Sequence, residues 1–268
     1  LAESSQSAVN GPPVESADVP DNAYYDGLLA DKAIALMREI QQKPFFLAVG
    51  FRSPHLPFCA PKKYWELYPP EAITLPDNCF PPKGVPDIAM HNWAELRGYY
   101  GMPQQGDLSH NQAHQLVRGY YASVSYLDAQ VGKLLAELNR LKLRDNTIIV
   151  LFGDQGYHLG ENGLWCKHSN FEKSVRTPLI VAVPDAHSAG QKTQALTELV
   201  DIYPTLCELC GLPLPKHLEG FSFAPLLTEP NREWKNAVFS QYPREREDVM
   251  GYSLRTNRYR FTRWQWLN

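Results

Sequence analysis

The chain has 268 residues, and its 44% hydrophobic and 21% charged content is that of a folded globular protein, not a disordered or fibrous one. A net charge of −3 supplies no basic field for nucleic acid or an anionic membrane surface. No run approaches the roughly 18 apolar residues that a membrane span requires, and the length suits one large domain or one and a half.

The chain begins at Leu1 without a methionine and reads as a piece of a longer sequence. Residues 1–27, rich in Ser, Pro, Asn and Asp, read as a connecting segment lying on a larger body. Asp31 to Gln41 carries Ala33, Ile34, Met37 and Ile40 at helical spacing. Residues 45–51 (FFLAVGF) form an apolar run of strand length, suited to a sheet covered on both faces. His55 follows it, between Pro54 and Pro57. Residues 57–110 hold much of the proline and read as an ordered excursion with little regular structure. From His110 to Leu143 the apolar residues Val117, Tyr120, Tyr121, Val124, Leu127, Val131, Leu134, Leu135 and Leu138 predict a helix of about eight turns.

Residues 147–152 (TIIVLF) and 178–183 (PLIVAV) predict short buried strands, and 197–210 a helix stopped by Gly211. This alternation is that of an α/β fold with a mostly parallel sheet flanked by helices. From Ala237 the runs AVFSQY, GYSLRT and YRFTRW predict an antiparallel meander. The reading divides the chain into an α/β part, residues 1–235, and the start of a small C-terminal antiparallel subdomain, residues 236–268.

Chemistry concentrates between Asp154 and Phe171 (DQGYHLGENGLWCKHSNF), directly after a strand, where open α/β sheets place their sites. The adjacent oxygens of Asp154 and Gln155 suit a hard cation such as Ca²⁺ or Mg²⁺; a turn or helix cap uses the same residues. Two ligands cannot hold calcium, so others must come from elsewhere. Lys167 lies beyond Gly156, Gly160 and Gly163, which allow the loop to fold back and bring the lysine to an anion; a surface lysine is the competing reading, and His168 shares the ambiguity. His55 at a strand end suits a general acid or an anion ligand, against a structural loop histidine. His91, His110, His114 and His187 carry no supporting context.

Cys59 and Cys79 flank the Pro-rich excursion at a spacing that permits pairing. Cys207 and Cys210 form a C-x-x-C inside an apolar helical pattern, where buried packing cysteines are expected in place of a redox pair. Cys166 has no evident orienting acid. There is no G-x-S-x-G, H-E-x-x-H, Walker or G-x-G-x-x-G motif.

Taken together, residues 45–58, 120–135, 154–171, 177–181, 199–206 and 240–262 resemble the sulfatase family, in its iduronate-2-sulfatase-like branch. The SPHLPF and D-x-G-x-x-L-G-E-x-G-x-W-x-K patterns are the specific part of the likeness. It implies an alkaline-phosphatase-like fold and a formylglycine- and calcium-dependent hydrolase of sulfate esters, acting on a sulfated uronate-containing polysaccharide or glycosaminoglycan. By the resemblance, Asp154 and Gln155 match metal ligands, His55 the histidine that meets the sulfate or protonates the leaving oxygen, and Lys167 a lysine on a sulfate oxygen, with His168 beside it at the substrate. Relatives often carry His or Asn where Gln155 stands. No C-x-P-S-R or S-x-P-S-R occurs, so the formylglycine and the first acidic pair are expected upstream, on the same protein or on an amino-terminal chain of it. The family implies a periplasmic, secreted or lysosomal setting. A phosphodiesterase or phosphonate hydrolase of the same superfamily and a non-catalytic glycan-binding relative are the alternatives.

Overall fold

Ser109 begins the longest element of the chain. Its hydroxyl accepts from Gln112 N at 3.3 Å while the Gln112 side chain accepts from Ser109 N at 2.9 Å, a reciprocal cap that satisfies two donors otherwise orphaned at a helix start. The computed structural model describes residues 10–186, 188–244 and 248–267, so His187 and residues 1–9 lie outside the described residues. In chain order the elements are β1 (Val14–Glu15), α1 (Tyr25–Ile40), β2 (Phe58–Cys59), α2 (Lys62–Trp65), α3 (Ala94–Arg97) and α4 (His110–Arg140). They continue with β3 (Ile149–Phe152), β4 (His158–Leu159), β5 (Trp165–Cys166), α5 (Glu172–Val175), β6 (Leu179–Ala182), α6 (Ile202–Leu209), β7 (Ala237–Arg244), β8 (Val249–Thr256) and β9 (Arg260–Trp266).

The chain divides into two compact units. Unit 1 comprises residues 1–146 and 158–166; unit 2 comprises 147–157 and 167–268, so the sequence-derived boundary at 235/236 falls inside unit 2.

In unit 1, α1 packs on α4, and β1 pairs in parallel with β2 (Val14↔Phe58). Residues 14–15 are thereby fastened to the body, as expected of a segment that lies on it. Ala60, Tyr64, Trp65, Ala122 and Tyr126 form one core cluster. The buried face of α4 takes in Val117 and Leu138 of the apolar face the sequence predicts, but it departs from that face elsewhere. Val124 and Tyr121 are exposed, whereas Ala113, Gly119, Ala122, Ser123 and Gln130 are buried. Small residues win because the partners come close: a Cβ on Gly119 would lie 2.9 Å from the Trp65 ring and 3.1 Å from Phe58 Cβ.

Polar burial on the same face is answered over long range. The buried Tyr126 hydroxyl accepts from Gly27 N at 2.6 Å and donates to Asp21 O at 2.9 Å, which ties α4 to the start of α1. The Asp21 carboxylate receives Lys63, Lys133, Tyr64 and Gln130. Burial pushes this carboxyl up, but hydrogen bonds from Lys63, Gln130, Lys133 and Tyr64 outweigh it and hold it down to about 2.

Residues 45–51 are not a strand. Exposure alternates along them, with Phe46 83% exposed, which is the signature of extended chain, but no pairing partner meets them among the described residues. A strand is defined by its ladder, and an apolar run alone cannot supply one. The excursion from 57 to 110 is as irregular as predicted, holding short helices and turns.

In unit 2, β3 and β6 pair antiparallel, Ile149↔Ala182 through Phe152↔Leu179. Val150, Leu179 and Val181 pack against a cluster of Ile202, Phe223 and Leu226, whereas Ile180 is 62% exposed, so the pair is buried less completely than its composition suggests. Helix α6 ends as predicted at Gly211 (φ +65°). Gly211 N donates to Glu208 O and Leu212 N to Cys207 O, the Schellman arrangement. Cys207 is buried but Cys210 is exposed at the cap, so only one of the pair packs internally; all five cysteines are free thiols. The predicted meander is present as an antiparallel sheet ordered β7–β8–β9.

Candidate active site

His55 sits in unit 1 on a loop fixed from below. The buried carboxylate of Asp26, in the first turn of α1, accepts from Arg52 N and Ser53 N, both at 2.8 Å. Two charge-assisted bonds to consecutive amides hold the chain just before the histidine. His55 N then donates to Arg52 O at 2.9 Å, and Pro54 and Pro57 follow cis peptide bonds. The ring is engaged at both nitrogens: Nδ1 lies 2.7 Å from Leu56 O, and Nε2 lies 3.2 Å from Glu95 Oε1 on α3. Burial first, and then the Glu95 carboxylate, push the nearby Tyr99 phenol up.

Asp154 and Gln155 leave the end of β3 in unit 2. They are bracketed by two glycines that the packing requires. Gly153 N donates to Pro178 O at 3.1 Å and Gly156 N to Ser174 O at 2.8 Å. A Cβ on Gly156 would lie 2.0 Å from Lys173 O, closer than any side chain permits. The support behind them continues outward, since Glu172 at the start of α5 binds Arg260 at 2.6 Å and Arg255 at 3.3 Å on β9 and β8. Asp154 is exposed, Gln155 is half-buried, and neither side chain is engaged among the described residues.

The stretch from Asp154 to Phe171 is not a single loop. Its middle forms a hairpin, β4 with β5 (His158↔Cys166), that belongs to unit 1. Gly160 (φ +111°), Asn162 (φ +60°) and Gly163 (φ +70°) make its turn, a left-handed series that favours glycine and asparagine. The turn rests on the excursion, with Asn162 N donating to Asn78 O at 2.7 Å. Because His158 pairs with Cys166, Tyr157 and Lys167 leave the hairpin base side by side. The return that the sequence assigns to flexible glycines is made by a paired hairpin.

Beyond it, Lys167 is half-buried and its carbonyl accepts from Ser169 N at 2.6 Å. His168 Nδ1 lies 2.5 Å from the Tyr242 hydroxyl, and its carbonyl accepts from Arg244 Nη2 at 2.6 Å. Arg244 lies over the rings of Tyr242 and Trp264, and burial pulls its guanidinium down from the usual range. Asp154, Gln155, Lys167 and His168 thus share unit 2, and His55 stands in unit 1. Glu95, Asp26, Tyr242 and Arg244 were not singled out from sequence. The SQYPR run contained the last two, but nothing local pointed from it to His168.

Calcium takes six to eight oxygen ligands. Asp154 and Gln155 offer adjacent oxygens of the right kind, but among the described residues no group of three or more His, Cys, Asp or Glu could hold a metal ion.

Comparison with known proteins gives the frame for these residues. Residues 4–212 match the family described as Sulfatase, and residues 160–266 match N-sulphoglucosamine sulphohydrolase, C-terminal. Iduronate 2-sulfatase of Mus musculus is 34% identical across 94% of this chain and 58% of its own length. The chain therefore spans less than two thirds of the curated relative. The crystal structure of the phosphonate monoester hydrolase of Agrobacterium radiobacter shares the fold at a TM-score of 0.78, with 23% identity, over 96% of this chain and 55% of that one. A protein solved in complex with its substrate D-glucosamine-2-N,6-O-disulfate superposes at 0.75, with 24% identity, over 90% of this chain and 62% of that one.

Proposed function

The chain belongs to the sulfatase family, and from that membership we propose that its protein hydrolyses sulfate esters, most closely in the manner of an iduronate 2-sulfatase acting on a sulfated uronate-containing glycan. The observation that carries this reading is the identity to iduronate 2-sulfatase along nearly the whole chain, which takes in both the His55 loop and the Asp154–Lys167 stretch. Its fold is the alkaline-phosphatase-like α/β fold of the solved relatives.

In this reading Lys167 places a positive charge on a sulfate oxygen, where anionic charge must be held as the S–O bond lengthens. His55 donates a proton to the departing sugar oxygen, so that an alcohol leaves in place of an alkoxide. His168, braced by Tyr242 and Arg244, lines the approach of the sugar. Asp154 and Gln155 would contribute oxygens to a Ca²⁺ ion whose other ligands, like the formylglycine nucleophile, would come from the part of the relatives' length that this chain does not span. When bound, such an ion supplies positive charge at the sulfate.

The test is substrate choice by the full-length protein. Disaccharides ending in a 2-sulfated uronate, glucosamine sulfates and phosphonate monoesters are offered in parallel, with and without a calcium chelator. We expect sulfate release from the 2-sulfated uronate, abolished by chelation and by Lys167→Ala. Turnover of the phosphonate ester alone would overturn the reading in favour of the fold relative, and turnover of none would make the protein a non-catalytic binder.

A further inference from the structure

Both ring nitrogens of His55 face oxygen acceptors. A backbone carbonyl only accepts, so Nδ1, 2.7 Å from Leu56 O, carries a hydrogen. The remaining nitrogen, Nε2, lies 3.2 Å from Glu95 Oε1. Were both bare, a lone pair on nitrogen would face a carboxylate lone pair. A further proton between Nε2 and Oε1 turns that repulsion into a hydrogen-bonded pair. The histidine side chain is 40% exposed and the glutamate 21%, so this edge of the ring is reachable while the carboxylate behind it is mostly covered. Glu95 is itself well placed to stay put. It sits on α3, where Leu96 is buried, and where Arg97 lies over the Trp93 ring and donates to Asn92 O, Pro103 O and Gly106 O. Glu95 also acts on the nearby Tyr99 phenol, as do Arg52, Cys59 and Cys166.

We propose that Glu95 is the positioning residue of His55, holding a proton on Nε2 and aiming that N–H, so that the loop presents a loaded proton donor. This rests on the reading of His55 as the group that protonates the leaving sugar oxygen. In that step the S–O bond to the sugar breaks, its electron pair stays on the sugar oxygen, and that oxygen takes the Nε2 proton. The ring is left as the neutral Nδ1–H tautomer, still bonded to Leu56 O. Water returns the proton to the pair between turnovers. A substrate oxygen and Glu95 compete for one N–H, so the carboxylate gives way as the substrate arrives.

Glu95→Gln separates this role from a merely structural one. The Gln amide can donate to an unprotonated Nε2, so the contact and the fold persist while the proton is lost. In ¹⁵N-histidine NMR of the protein at neutral pH, with His55 assigned by its absence in His55→Gln, wild type is expected to show both ring nitrogens protonated. Glu95→Gln should show only Nδ1 protonated, and Glu95→Asp should restore both. An unprotonated Nε2 in wild type, or a Glu95→Gln spectrum identical to wild type, would overturn the proposal. In turnover, Glu95→Gln should lower kcat on a sugar sulfate about 10- to 100-fold with KM nearly unchanged, and far less on 4-nitrophenyl sulfate, whose leaving group needs no proton. An equal loss on both esters also sinks it. If wild type releases no sulfate from any ester, the functional reading fails, and the NMR experiment still decides the proton count.

Discussion

The His55 loop and the Asp154–Gln155 turn are held in opposite ways. The first is gripped by side chains: Asp26 takes two consecutive amides, and behind it Tyr126 and Asp21 knit α1 to α4 through charge and hydrogen bonds. The second is gripped chiefly by backbone: a Cβ on Gly156 would lie 2.0 Å from Lys173 O, and one on Gly153 would meet the Thr177 hydroxyl at 2.3 Å. A side-chain clamp answers to protonation and tolerates small shifts of the chain. A backbone clamp is indifferent to pH and fails as soon as one atom is added.

The contrast is broken most severely at Gly156. Gly156→Ala drives a Cβ into Lys173 O, and we expect a loss of about 3 kcal/mol in urea denaturation, with rapid amide exchange across residues 154–157. A change under about 0.5 kcal/mol would show that the turn has room to move, and the two clamps would cease to differ. Asp26→Asn comes next. It turns an amide donor toward a backbone N–H and should cost about 2 kcal/mol, with exchange accelerating at Arg52 and Ser53 and not at Gly156. Exchange rising equally at both places would join the two regions into one cooperative unit.

The smallest effect sharpens the comparison through pH. Asp21 titrates near 2 in the folded chain against an ordinary value of 3.8, so its contribution is fully present above about 4 and is lost as pH falls toward 2. With partial exposure discounted, this amounts to about 1–2 kcal/mol. Asp21→Asn should flatten the acid limb of stability over that window by this amount, measured as urea midpoints at successive pH values. An unchanged acid limb would show that the lysines around Asp21 add nothing.

Much of this was legible from sequence because it is local. The length of α4, the stop at Gly211, the strands β3 and β6 and the final meander all announce themselves in spacing or in one residue type. What was not legible depends on residues far apart. The buried face of α4 carries Gly119, Ser123 and Gln130 because Trp65, Phe58 and Asp21 come to meet it, and periodicity weighs only apolarity. Residues 45–51 look like a strand because a continuous apolar run does not reveal whether a neighbour exists. Asp154, Gln155, Lys167, His168 and His55 stood out by position after a strand, by spacing, and by resemblance. Glu95 and Asp26 did not, since a carboxylate on a helix has many uses and only the fold selects one.

The hairpin from His158 to Cys166 has a consequence for how the molecule comes into being. β4 lies on α4 and β5 on α3, yet both are made after β3, which belongs to the other unit. A ribosome therefore delivers the first strand of unit 2 before it delivers the last piece of unit 1. Neither unit can be released as an uninterrupted stretch of chain, and a single peptide-bond cut will not yield two self-sufficient halves. Such interleaving raises the sequence distance between contacting residues and slows folding relative to a molecule whose units follow one another. The stretch richest in chemistry is also where the chain commits both units at once.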